Sequence, residues 1–243
     1  MIYIKKSAPP KELVELKTCA EKHGLTDKEG YDKLGNPLKE IVRQSLLHEQ
    51  GHLCAYCMRR IPDNRIHAED TDLSGVHIEH WIPRGAKNNT RKNRGLDYSN
   101  MLAVCSGNEK TPETNGKHRR RYFTCDKKRG DAPLKINPLD LSTLDTLCYS
   151  SNGIIKSTDS EIEEDINIRL NLNLSSDAVA LPQNRKAVLD EVQQDIYSQH
   201  GDMLQNCKDQ LEIWEKETDP KTPYIGIAIW WLKDQIRALS QEC

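Results

Sequence analysis

The sequence predicts an α+β protein, helical at both ends around a small two-stranded centre. Three observations carry this. Apolar residues recur at helical spacing within residues 11–50. Short apolar runs lie between cysteines over residues 54–105. Two further helical stripes occupy residues 184–239. At 243 residues the chain can bury a substantial core. It divides into a helical region 1–50, a centre 51–135, and a region 136–243 that is mixed and then helical.

Ala8-Pro9-Pro10 opens the first helix; Leu13, Leu16 and Ala20 share one face and Gly24 closes it. Asn36-Pro37 opens the next, with Leu38, Ile41, Val42, Leu46 and Leu47 on one face and Gly51 as its stop. His52 to Arg60 reads as a tight turn between short strands, and residues 61–75 as polar loop. Val76 to Ile82 alternates as a strand does and ends at Pro83. Residues 84–97 form a basic loop, Asn100 to Cys105 a short apolar element, and 106–124 a polar, basic insertion. The run DKKRGD after Cys125 starts a helix, and short strands are expected to about residue 175. Val188, Val192, Ile196, Leu204, Cys207 and Leu211 mark a helical stripe over 184–217, which Gly201 divides. Pro223 to Leu239 is a last, more apolar helix.

Hydrophobic residues make up 36% and charged residues 30%, with a single Phe, so a thin core underlies a large polar surface. No stretch approaches the roughly 20 apolar residues of a membrane span. The opening MIYIKKSAPPKELVELK has no apolar signal region. A cytoplasmic protein with no membrane association is expected. The net charge of -2 hides an asymmetry: Arg84 to Tyr149 holds 14 Lys/Arg against 7 Asp/Glu, whereas Ser150 to Cys243 holds 9 against 17. A basic middle suits a polyanion, and an acidic tail suits a protein partner or solvent.

Eight cysteines without a secretion signal point to reduced thiols and metal binding rather than disulfides. Cys54-x2-Cys57 places two thiolates on one turn. Cys105 and Cys125 can supply a second pair if the residues between them loop out, since loop closure costs rise only slowly with length. Four thiolates make a closed tetrahedral zinc site, which is structural.

Between the two pairs stands Ile78-Glu79-His80-Trp81-Ile82-Pro83. A lone Glu-His pair is usually surface. Here the order C-x2-C, E-H-x-x-P, Asn100, then C…C-D-x-K-x-G over Cys54 to Asp131 resembles the HNH (ββα-metal) endonuclease motif. LLHEQGHLCAYCMRRI, HIEHWIPRG, CDKKRGD and LNLN at Leu170 to Asn173, followed by Asn184-Arg185, are similar to the PtuB family. Those are the HNH subunits of Septu antiphage systems, which also accompany some retrons.

Phosphodiester hydrolysis needs a nucleophile, charge neutralisation at phosphorus and help for the leaving oxygen. His80 is the candidate general base, because a neutral imidazole accepts a proton near physiological pH. Neighbours on a strand point to opposite sides, so a bend must bring Glu79 and His80 to one phosphate. Glu79 would ligate a hard cation, magnesium or manganese. The resemblance implies a second ligand just after the last zinc cysteine, here Asp126, where many HNH proteins carry His or Asn. It also implies that Asn100 ties down the backbone of the His80 loop, the alternative being a turn cap. Zinc on Cys54, Cys57, Cys105 and Cys125 would then set the spacing between the His80 strand and the Asp126 helix.

Arg84, Lys87, Arg91, Lys92, Arg119, Arg120, Arg121 and Lys128 suit sequence-independent phosphate contacts, the alternative being a solvated basic loop. Arg94 belongs to the same loop. His77 reads as a packing or surface residue and His118 as a peripheral one. Cys19, Cys148, Cys207 and Cys243 read as ordinary thiols. Trp230-Trp231 reads as core or partner interface rather than a base-stacking platform.

The resemblance implies a defence nuclease held by a PtuA-like ATPase, with a retron reverse transcriptase and its RNA–DNA product as a third component in some systems. The chain carries no G-x4-G-K-[ST] phosphate loop of its own. The acidic C-terminal region, and its last helix above all, is the expected docking surface. The alternative is a non-catalytic zinc module that binds nucleic acid or scaffolds the same complex, which His80→Ala separates from the enzyme. A redox role for Cys54 and Cys57 is disfavoured because zinc binding would block it.

Overall fold

Pro10 and Gly24 bracket α1 (Lys11–Lys22) in a computed structural model that describes residues 1–61, 75–84, 94–109, 119–176 and 179–241. A second short helix, α2 (Asp27–Asp32), has no apolar stripe. It forms because Thr26 and Glu29 make a capping box, each side chain satisfying the other's backbone N–H. α3 (Asn36–Gln50) buries Val42, Leu46 and Leu47 and ends at Gly51, whose left-handed φ of 60° favours glycine and where a Cβ would strike the Thr218 carbonyl.

The strands expected around the first cysteine pair reduce to one bridge, Leu53 to Arg60. β1 (His77–His80) pairs antiparallel with β2 (Met101–Val104), Glu79 opposite Leu102 and His80 opposite Met101. β2 is wholly buried although it has one strand neighbour. Gln50 takes the place of another strand: its amide donates to the Ala103 carbonyl and accepts from the Ala103 N–H, both at 2.8 Å. Two strands with almost no core of their own are thus held by α3 on one side.

α4 (Cys125–Arg129) is a single turn that Gly130 ends. α5 (Leu141–Leu144) leads to a second antiparallel pair, β3 (Leu147–Tyr149) with β4 (Ile155–Ser157). α6 (Ser160–Glu164) continues into a π-turn, Asp165–Arg169. The LNLN and Asn184-Arg185 stretches are structural. Asn171 donates to the carbonyls of Arg121 and Phe123 at 2.9 Å, and the Leu170 carbonyl accepts the Cys125 N–H at 2.9 Å. Buried Arg185 donates to the carbonyls of Gly153 and Leu172. These bonds fix the segment that presents Cys125.

The helical stripe divides at Gly201 as expected, into α7 (Leu181–Ser198) and α8 (Met203–Lys216). α9 (Gly226–Gln241) buries Ile227, Ala228, Trp231 and Leu232. One large core runs from Met1 to Leu232 and draws on all three segments. The expectation that α9 offers its apolar face to a partner meets this directly: much of that face is spent inside the chain. Trp231 is buried, and half-buried Trp230 packs on Tyr149 with ring centroids 5.7 Å apart. Among the described residues no helix is long and apolar enough to cross a membrane.

Candidate metal centre and catalytic site

Cys54, Cys57, Cys105 and Cys125 converge, their sulfurs all within 4.8 Å of one another and buried. Cys54 to Cys125, Cys57 to Cys105 and Cys105 to Cys125 are each 3.8 Å apart. Zinc–sulfur bonds of about 2.3 Å at tetrahedral angles require the same separation. The four cysteines could hold a structural metal such as zinc. The knuckle forms because Met58 adopts φ 60°, which lets its N–H reach the Cys54 carbonyl at 2.9 Å. The second pair closes at the base of the insertion. Thr124 donates to the Gly107 carbonyl at 3.0 Å, and Asn108 donates to the Tyr122 carbonyl and Thr124 hydroxyl. As thiols, Cys54 and Cys125 are pushed well above the ordinary range by burial. Burial opposes ionisation of Cys57 too, but hydrogen bonds from the other three overcome it and hold it well below that range.

Directly beyond the cluster, the carboxylate of Asp126 on α4 stands close to that of Glu79 on β1. Glu79 is 7% exposed. Tyr56 Oη, on the cysteine knuckle, donates to Glu79 Oε1 at 3.1 Å, and Arg129 Nη1 makes an ion pair with the same oxygen. Burial and the Asp126 charge together push Glu79 up to about 8, against the pull of Arg129. Arg129 also donates to the carbonyls of His80 (3.2 Å), Trp81 (2.6 Å) and Ala132 (2.7 Å). It therefore binds α4 to the end of β1.

Asn100 does what the motif implies. Its Nδ2 donates to the Ile82 carbonyl at 3.0 Å and its Oδ1 accepts the Ile82 N–H at 2.8 Å, clamping the chain just after His80. The His80 ring leaves the strand on the other side from Glu79. Its Nε2 sits 3.0 Å from the Gly95 carbonyl, and its ring meets Tyr31 edge-on at 5.0 Å. With the proton on Nε2 for that bond, Nδ1 carries the lone pair. Burial lowers His80 to about 4, the Gly95 bond resisting and Arg84 and Arg129 assisting, so the ring is neutral. The side chains of Glu79 and His80 thus contact different partners.

Arg84 stacks on Tyr31, its guanidinium carbon 4.1 Å from the ring centroid, and so stands beside His80. Arg121 is exposed and packs on Tyr122, and Lys128 is half-buried on α4. Arg119 and Arg120 belong to the turn Arg119–Tyr122. Arg94 is half-buried, its backbone N–H bonded to Asp27 at 2.8 Å. Lys87, Arg91, Lys92 and His118 lie outside the described residues, as does Cys243. His77 is half-buried and lowered by burial, with Asp126 near it. Cys19, Cys148 and Cys207 join no metal-ligating cluster among the described residues.

Sequence reading did not single out four of the residues around the site. Arg129 and Tyr56 were hidden because their importance lies in a meeting of distant segments. Tyr31 and Lys39, the latter 5.4 Å from the Tyr31 ring, lie on α2 and α3. Lys39 on the polar edge of α3, four residues before Arg43, was the available signal. Comparison with protein-family models and with curated proteins finds no match for the chain.

Proposed function

We propose that the chain is a metal-dependent HNH endonuclease that hydrolyses phosphodiester bonds of DNA or RNA. In this reading it is the effector of an antiphage complex with a PtuA-like ATPase. The observation that carries the reading is the close approach of the Glu79 and Asp126 carboxylates. A sulfur cluster, a two-stranded sheet and a one-turn helix bring these two carboxylates together from distant parts of the sequence.

Zinc on the four thiolates fits the sulfur spacing and fixes the frame. A buried carboxylate beside a half-buried one, the first pushed up by burial and by its neighbour, also forms a donor set that fits a hard cation. Glu79 and Asp126 would hold magnesium or manganese, which supplies charge stabilisation at the phosphate and the departing oxygen. The protein's own groups do the rest. His80 Nδ1 accepts a proton from the attacking water. The Gly95 carbonyl fixes the tautomer, and Asn100 and Arg129 hold the backbone that follows His80. Arg84, presented on Tyr31, meets phosphate charge beside His80.

One observation favours the scaffold reading instead: both Glu79 oxygens already accept hydrogen bonds, Oε1 from Tyr56 and Arg129 and Oε2 from the His80 N–H at 3.1 Å. Asp126→Ala separates the two. Plasmid DNA and total RNA are incubated with the full chain and its ATPase partner in magnesium or manganese. The enzyme reading expects cation-dependent cutting by the wild type and its loss in the variant, with zinc content unchanged. Equal cutting by both would overturn it.

A further inference from the structure

The sulfur cluster and the Glu79 pocket leave a second convergence of metal-ligating groups unexplained. His48 sits in the last turn of α3, His52 just past its Gly51 cap, and Asp219 between α8 and α9. One ligand atom from each lies within 4.8 Å of the other two. His48 Nδ1 contacts Asp219 Oδ2, and His52 Nε2 is 3.1 Å from Asp219 Oδ1. That second oxygen is sealed from solvent and, among the described residues, accepts no hydrogen bond. An imidazole nitrogen thus stands beside a carboxylate oxygen at hydrogen-bond distance without donor alignment. Two atoms that each ligate one ion stand in this relation: bonds of about 2.0–2.2 Å in a tetrahedron put neighbouring ligand atoms roughly 3.3–3.6 Å apart.

The frame around the three residues is built. Gly51 and His52 both adopt left-handed φ, 60° and 59°, and for His52 that is an unfavourable conformation which the surroundings must impose. Lys221 N–H donates to the Gly51 carbonyl at 3.0 Å, as does Arg60 Nη1, whose Nη2 bonds the Lys221 carbonyl. The Glu217 carboxylate holds Thr222 by its N–H (2.7 Å) and hydroxyl (2.8 Å). A Cβ on Gly51 would come within 2.6 Å of the Thr218 carbonyl, so the two segments meet backbone to backbone. The carboxyl end of α3 adds partial negative charge where a cation would sit.

We propose that His48, His52 and Asp219 form a second metal site, for a divalent transition ion and zinc foremost, with water completing the shell. Two imidazoles and a carboxylate suit zinc and not magnesium or calcium, which take oxygen. The ion staples the turn that leads into the Cys54 knuckle to the segment that enters α9. It joins the metal-bearing centre to the acidic C-terminal region and touches neither Glu79 nor His80.

The test is metal stoichiometry. Full-length chain is loaded with zinc, desalted and assayed by mass spectrometry for metal, with a parallel cobalt-loaded sample read for thiolate-to-metal charge transfer. The wild type is expected to hold two ions per chain. His48→Ala and Asp219→Asn are each expected to hold one, with the thiolate signal intact, and to lose the rise in melting temperature that the second equivalent gives the wild type. His48 is 79% exposed, so its truncation leaves the packing alone and that variant decides the matter even if Asp219→Asn fails to fold. One ion per chain in the wild type, or two retained in His48→Ala, overturns the proposal.

Discussion

Arg129 has no exposed side-chain surface and spends its guanidinium on Glu79, Tyr56 and three carbonyls. Removing one partner of such a pair leaves a charge buried without compensation. Arg129→Met is predicted to destabilise the protein by about 3–5 kcal/mol in urea unfolding; a loss under 1 kcal/mol would mean that the pair is solvated. His80 gives a pH signature. Its folded value is about 4 against an ordinary 6.5, so the unfolded chain binds the proton more readily between those values. The stability that neutral His80 contributes is complete above pH 6.5 and lost as pH falls toward 4. Relative to His80→Phe, the wild type should lose roughly 3 kcal/mol across that window. A difference that does not change with pH would show the ring to be solvated.

At the scale of elements, β1 and β2 rest on attachments rather than on a sheet of their own. Gln50 occupies the free edge of β2, Asn100 clamps the exit of β1, and the sulfur cluster joins the knuckle, the end of β2 and the start of α4. Stripping metal with a strong chelator is predicted to abolish hydrogen-exchange protection at Met101–Val104 while α7 keeps its own. Retained protection at β2 would mean that the thiols do not staple the sheet. The helices and both cysteine pairs were legible because periodicity and spacing are local signals. α2 was not, since six residues carry no stripe; only the Thr26–Glu29 capping box announces it. The strands around the knuckle were over-read because Met58 turns the chain at once. Asn100 was legible through the motif, whereas Arg129 and Tyr56 were not, because their roles exist only where α4, the knuckle and β1 meet.

Across the whole molecule, one large core links Met1 to Leu232, and the 217–224 segment lies against the knuckle through the Tyr224 N–H and Met58 carbonyl, 3.0 Å apart. Deleting residues 218–243 therefore removes core side chains and cannot separate partner docking from folding; substitutions on the exposed side of α9 can. Arg84 stands beside His80 and Arg129 beside Glu79, whereas acidic residues outnumber basic ones, 17 to 9, from Ser150 to Cys243. The most direct measurement is the cleavage rate of wild type and His80→Ala with the proposed ATPase partner, with sulfur-bound zinc measured in the same preparations. The account predicts equal zinc and a rate lower by about 10²–10⁴-fold in the variant. Equal zinc with an unchanged rate would contradict it and leave the chain a scaffold.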